Sequence, residues 1–232
     1  MNREAIVVTG AGRGIGRAVC LRFAREGAHV VAAARSPDQL AETRAQVEAA
    51  GARCTVVPTD VGSPDEVAHL IEEAHRGAGR IDVLVNAAGV APLAAIEEFD
   101  AAVFESVFDV NMAAIFHAAK AVWPIMRKQG GGTIVNISSV AAVDPFPGFA
   151  VYGASKAWVN AISQGLSAEG RAHGIRVFSV APGAVETQML RDAFPDFPAD
   201  QTLQPAEVAE LVYAASRPTF APATGQTVYI RR

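Results

Sequence analysis

A doubly wound α/β fold of the Rossmann type follows from three features of this sequence. Short β-branched runs alternate with longer helical stretches, the strand-like runs are apolar on consecutive residues, and a glycine-rich turn directly follows the first of them. The strand-like runs occupy residues 5–8, 29–34, 54–57, 83–85, 133–137, 175–180 and 226–230. Cores such as Ile6-Val7-Val8 and Val83-Leu84-Val85 suit a parallel sheet covered on both faces. Helical patterns fall between them, at residues 16–26, 37–50, 64–76, 101–129, 152–172 and 205–215. Regular alternation with right-handed crossovers then predicts one seven-stranded parallel sheet with helices on both faces.

Taken in order, the first strand runs into Thr9-Gly-Ala-Gly-Arg-Gly-Ile-Gly16. Glycines let the backbone turn sharply and approach a pyrophosphate, which the N-terminus of the following helix favours. A strict G-x-G-x-x-G does not fit, because from Gly10 and Gly12 the sixth position is Ile15. The pattern is T-G-x-x-x-G-x-G, on Gly10, Gly14 and Gly16. The second strand ends in Arg35, with no acid before Asp38. An acid there would bind ribose hydroxyls and repel a 2′-phosphate, whereas a guanidinium grips the phosphate. Arg35, with Arg13 from the glycine loop, therefore predicts NADP(H). In the long helix, Phe116, Trp123 and Met126 recur at helical spacing, as core or subunit-interface residues do. Residues 193–204 read as a loop over the fold, and Pro205 opens the last helix with Glu207 near its positive end.

Composition narrows the function classes. A length of 232 residues is ordinary for one α/β domain, read as a single dinucleotide-binding catalytic unit over 1–232 with a short substrate loop at 188–204. Half the residues are hydrophobic and 19% charged, which excludes a disordered chain. A net charge of −4 provides no footprint for nucleic acid. Cys20 and Cys54 are too few for a disulfide framework, and the five histidines are scattered, so no metal site is expected. The start, Met-Asn-Arg-Glu, is unlike a signal peptide, and no run approaches the ~20 apolar residues of a membrane span. A cytoplasmic protein without membrane contact is the expectation.

The chemistry-bearing residues lie further along. Tyr152 and Lys156 stand one helical turn apart, with Ser139 thirteen residues before the tyrosine. Asn86-Ala87-Ala88-Gly89 follows the fourth strand, Asn111 falls in the long helix, and Pro182-Gly183-Ala184-Val185-Glu186-Thr187 follows the sixth strand. In this order the motifs resemble the short-chain dehydrogenase/reductase family across nearly the whole chain, and within it β-ketoacyl-carrier-protein reductases and carbonyl reductases. The resemblance implies that Asp60 and Val61 meet the adenine and that Asn86, Ala87 and Gly89 pass near the cofactor. Asn86 is equally suited to a purely structural role. Pro182, Gly183, Val185 and Thr187 are implied to face the nicotinamide and phosphates, beside Gly10, Gly14, Ile15 and Gly16. Also implied is a homodimer or homotetramer, through the long helix and the tyrosine helix.

Hydride addition to a carbonyl builds negative charge on oxygen, so the site needs a proton donor. Tyr152 is the candidate acid, but an unperturbed phenol titrates near ~10. Lys156 at i+4 shares its helix face and is expected to favour the phenolate. The resemblance adds that Lys156 holds the ribose hydroxyls. Ser139 would donate to the developing oxyanion, and the family spacing favours it over Ser138, which reads as structural. Asn111 has two compatible readings, as a link in a water-mediated relay from Lys156 and as a bridge across a distorted helix. The substrate end would be apolar, from Val90, Pro92, Ala141, Val143, Phe146, Phe149, Val185, Leu190, Phe194 and Phe197. The short segment between Thr187 and Pro205 predicts an open pocket for a small carbonyl or alcohol substrate.

Overall fold

In the computed structural model, which describes residues 3–232, seven parallel strands form one sheet in the order β3-β2-β1-β4-β5-β6-β7. The strands are β1 Ala5–Thr9, β2 His29–Ala34, β3 Arg53–Pro58, β4 Val83–Asn86, β5 Gly132–Ile137, β6 Ile175–Pro182 and β7 Thr227–Ile230. Their continuous apolar runs are buried because helices cover both faces. On one face, α1 (Gly14–Ala24), α2 (Pro37–Ala49) and α8 (Pro205–Ser216) pack on Ile6, Val8, Val85 and Val180. On the other, α3 (Pro64–Ala78), α5 (Ala114–Lys128) and α6 (Ala150–Gly170) pack on Val7, Leu84, Ile134 and Val177. The expected fold class is thus the one observed.

Helix starts follow their capping chemistry. Ser36 and Ser63 accept backbone N–H bonds ahead of Pro37 and Pro64, and Gln204 with Glu207 forms a capping box ahead of Pro205. The stretch expected as one long helix is two. A π-turn at Asp109–Ala113 separates α4 (Ala101–Phe108) from α5. As one stretch, Ala101–Lys128 is long and apolar enough to cross a membrane by length and composition, contrary to the expectation. Here Ala114, Ala118, Val122 and Met126 lie in the core, whereas Phe104, Phe108 and Phe116 lie on an exposed face. The segment expected as pure loop contains a short helix, α7 (Gln188–Ala193), and a 3-10 turn at Ala199–Gln201.

Strand order reverses between β1 and β4, which opens a crevice beyond the carboxyl ends of the strands. Just below it, Thr9, Asn86, Asn136, Ser179 and Thr227 share one register row across the sheet. Three of these polar residues bond through one hydroxyl on α6. Asn86 donates to Asn136 at 2.8 Å, Asn136 donates to Ser163 Oγ at 2.8 Å, and Ser179 donates to Ser163 Oγ at 2.8 Å.

Candidate active site

The crevice is a cavity of about 1220 Å³. One end is the glycine loop. Gly10 has φ +66°, and a Cβ there would lie 2.7 Å from the Ala88 nitrogen. A Cβ on Gly16 would lie 2.2 Å from the Gly10 carbonyl oxygen, so helix and strand approach in a way no side chain permits. Thr9 Oγ1 accepts from the Ala87 and Ala88 amides at 3.2 and 3.3 Å, joining this loop to the one after β4. Arg17 fastens the loop to α2 through the Gly12 carbonyl, Glu42 and Thr43.

The start of α1 is unlike those of α2, α3 and α8, each of which carries a side-chain cap. Its N-cap, Arg13, has extended backbone and no side chain bonds its free amides, and no acid lies in its first turn. Those amides open into the cavity among Gly10, Arg13, Gly14, Ile15 and Gly16. Bare glycines, unmet N–H donors and the positive helix end together fit a dinucleotide pyrophosphate. Arg35 lines the cavity at the end of β2, and neither it nor Arg13 forms an ion pair among the described residues. Ser36 and Gln39, from the capped start of α2, line it too. A serine–proline pair marking a helix start was the available sequence signal for them. Asp60, Val61, Ala87, Gly89, Pro182, Gly183, Val185 and Thr187 also line the cavity.

Asn86 does not. Its buried amide is committed to Asn136 on the neighbouring strand, so its place is in the sheet and not on the cavity wall. Asn111 is not on the wall either. Fully buried in the π-turn, it accepts from the Val90 amide and donates to the Val90 carbonyl, both at 2.9 Å, and to Ser155 Oγ at 3.1 Å. It nevertheless neighbours the lysine. A Cβ on Gly89 would lie 3.4 Å from Asn111 Oδ1 and 3.6 Å from Lys156 Nζ, so the bare glycine keeps the space between them open.

Ser139, Tyr152 and Lys156 line the cavity together. Ser139 ends β5 and caps the following 3-10 turn, accepting from the Ala141 amide at 3.1 Å. α6 crosses that turn closely, since a Cβ on Gly153 would lie 2.6 Å from the Ala141 oxygen. Close crossing brings the half-buried Tyr152 beside Ser139. Lys156 is buried and donates from Nζ to the Ile137 carbonyl at 2.9 Å, and its ammonium lies 5.7 Å from the Tyr152 ring centroid. Ser138 donates to the Lys156 carbonyl at 3.1 Å, a tether between β5 and α6.

Electrostatics here departs from the expectation. Burial raises the Tyr152 phenol above its ordinary range, and the Ser139 hydroxyl pulls it only partly back. Lys156 is not the dominant influence on the phenol. The same burial depresses the lysine itself to about 8, because a desolvated ammonium is disfavoured.

At the substrate end, Val90, Ala141, Phe146, Phe149, Val185, Leu190, Phe194 and Phe197 line the cavity, whereas Pro92 and the exposed Val143 do not. The segment after Thr187 is held by an arginine that sequence reading missed. Arg191 donates to Glu186 Oε1 at 2.8 Å and to the Phe197 and Pro195 carbonyls at 2.6 and 3.1 Å. Among the described residues, no group of three or more His, Cys, Asp or Glu side chains gathers in a metal-binding arrangement.

Comparison with known proteins places this geometry. Residues 4–197 match the family model described as short chain dehydrogenase. An oxidoreductase of Staphylococcus saprophyticus is 36% identical over 229 residues, covering 97% of this chain and 96% of that protein. One from Bacillus subtilis is 37% identical over 196 residues, covering 84% and 76%. Levodione reductase superposes with a TM-score of 0.93 at 27% identity, covering 98% of this chain and 96% of that one. The 3-ketoacyl-(acyl-carrier-protein) reductase of Brucella melitensis, solved with NADH, superposes with a TM-score of 0.90 at 26% identity and the same coverage. With a family match over most of its length, and with the tyrosine, lysine and serine gathered beside an open glycine-loop helix, this chain belongs to the short-chain dehydrogenase/reductase family of oxidoreductases.

Proposed function

We propose that the protein is an NADP(H)-dependent reductase that converts a ketone or β-ketoacyl carbonyl into an alcohol, with Tyr152 as general acid. The observation that carries this reading is the common cavity shared by Tyr152, Ser139 and Lys156 with the uncapped N-terminus of α1. Gly10, Gly14, Ile15 and Gly16 would hold the pyrophosphate, Asp60 and Val61 the adenine, Pro182 to Thr187 the nicotinamide end, and Lys156 the ribose. When bound, the reduced nicotinamide supplies hydride to the carbonyl carbon. Ser139 donates a hydrogen bond to the carbonyl oxygen as charge grows on it. Tyr152 gives that oxygen its proton, a role suited to a phenol kept protonated by burial. Asn111 and Lys156, separated by the gap over Gly89, pass a replacement proton through water. In oxidation the same groups run in reverse, with Tyr152 as base.

The choice of NADP(H) rests on Arg35 and Arg13, two cations without ion-pair partners among the described residues, where an acid would serve NAD. The exposed Phe104, Phe108 and Phe116 on α4 and α5 support a homodimer or homotetramer built on this stretch and the tyrosine helix α6. Measuring kcat/KM with NADPH and NADH against ketones, β-ketoesters and quinones tests the reading. A clear preference for NADH overturns the cofactor assignment. Tight NADPH binding without turnover of any carbonyl would instead favour a non-catalytic sensor.

A further inference from the structure

Beyond Tyr152 the cavity wall is made of phenylalanines. Phe149 lies 5.1 Å from the Tyr152 ring, Phe194 lies 5.7 Å from Phe149, and Phe197 lies 6.5 Å from Phe194, centroid to centroid. Phe146 completes the group, 6.3 and 6.4 Å from Phe149 and Phe194. Three of these pairs meet edge to face, and Phe149 is buried beneath the half-buried Phe194 and Phe197. Phe146 remains 54% exposed although it contacts two other rings. A bare ring on the wall of the cavity that holds the proton donor is apolar area that awaits a ligand.

The wall has two halves. Phe146 and Phe149 follow the Ser139 turn, whereas Phe194 and Phe197 come from the segment after α7. Arg191, bonded to the Phe197 and Pro195 carbonyls, fixes the second half, and Glu186 neutralises its charge. It is therefore not free to receive an anionic substrate. Asp144 and Asp200, close to these phenylalanines in the chain, also line the cavity and would repel one. Arg231 and Arg232 are cations on the lining; Arg231 sits against Gly183 beside the edge strand, and Arg232 is paired with Glu207.

We infer that the substrate is a neutral ketone carried on a flat aromatic or fused ring, stacked against Phe146 and Phe194. This narrows the carbonyl-reducing reading above and rests on it. A flexible acyl chain would fill the same volume, but it would lose its rotameric freedom and make no ring–ring contacts.

The test compares α-tetralone, the straight-chain 2-ketone of equal carbon count, and a chain ketone ending in a carboxylate. Wild-type protein and Phe194→Leu are assayed with NADPH. Two ring contacts predict that α-tetralone exceeds the neutral chain ketone by about tenfold or more in kcat/KM, with the carboxylate poorest. Phe194→Leu keeps the wall apolar and removes the ring. It should lower the tetralone advantage about three- to tenfold, with KM for NADPH unchanged. Turnover with equal or reversed ratios in the wild type overturns this inference alone. No turnover of any ketone, despite NADPH binding, overturns the carbonyl-reducing reading and this inference with it.

Discussion

Replacing Lys156 by methionine should make the cofactor-free protein more stable while abolishing its turnover. Lys156 is 4% exposed, and burial depresses it from 10.5 to about 8. At ~1.4 kcal/mol per pH unit, holding the charged ammonium in the fold costs ~3 kcal/mol at neutral pH. Methionine has a similar length and carries no charge. Its cost is the buried bond to the Ile137 carbonyl, an acceptor left unpaired at ~1–3 kcal/mol. The net gain of up to ~2 kcal/mol corresponds to a Tm increase of up to about 8 °C for a chain of this size. The pH dependence identifies the cause. Because the folded value lies below the unfolded one, the penalty is full below about 8 and vanishes above 10.5. Wild-type stability should therefore rise relative to Lys156→Met between those values, and the Tm gap should close. Calorimetry from pH 7 to 10 measures it. A lower Tm for Lys156→Met at pH 7, or a gap independent of pH, would refute the burial account.

Tyr152→Phe should reduce kcat by at least ~10²-fold, the range for loss of a general acid, while NADPH still binds by fluorescence titration. Retention of most of the turnover would remove the tyrosine from its role. Ser139→Ala should cost ~10²–10³-fold in kcat, as loss of an oxyanion donor does, with KM for NADPH little changed in steady-state assays. Gly16→Ala places a Cβ 2.2 Å from the Gly10 oxygen, so helix and strand must part and NADPH affinity should fall at least tenfold by calorimetric titration. Wild-type affinity in that variant would show that the close approach is dispensable.

The sheet, the glycine loop and the Tyr152–Lys156 face were legible in the sequence because each depends on local periodicity or spacing. What was missed depends on contacts between distant segments. The Asn86 motif follows a strand and left a structural role open beside cofactor contact, but its partner Asn136 lies fifty residues on, so spacing could not choose between them. Helical spacing made Lys156 and Tyr152 neighbours without revealing how dry their surroundings are. Burial therefore reversed the expected direction of the phenol. The bend at Asn111 was anticipated only as a distortion, since the Val90 backbone that completes its bonding lies on another segment. Arg191 looked like an ordinary surface cation in a proline-rich stretch, and only folding brings the Phe197 carbonyl to it.

The polar row of Asn86, Asn136 and Ser179, joined through Ser163, has a consequence for how the chain reaches its native pairing. Parallel strands of uniform Val and Ile can slide by two residues and still place apolar side chains on the same face. With only apolar neighbours, β4, β5 and β6 would hold such slipped alignments at little cost. In a slipped alignment the two amides and the two hydroxyls would be buried away from one another, at ~1–3 kcal/mol for each group left unsatisfied. The row thus works as a vernier, matching at one alignment and mismatching at the next. Since Ser163 sits on α6, the same match fixes the height of the helix that carries Tyr152 and Lys156 above the sheet.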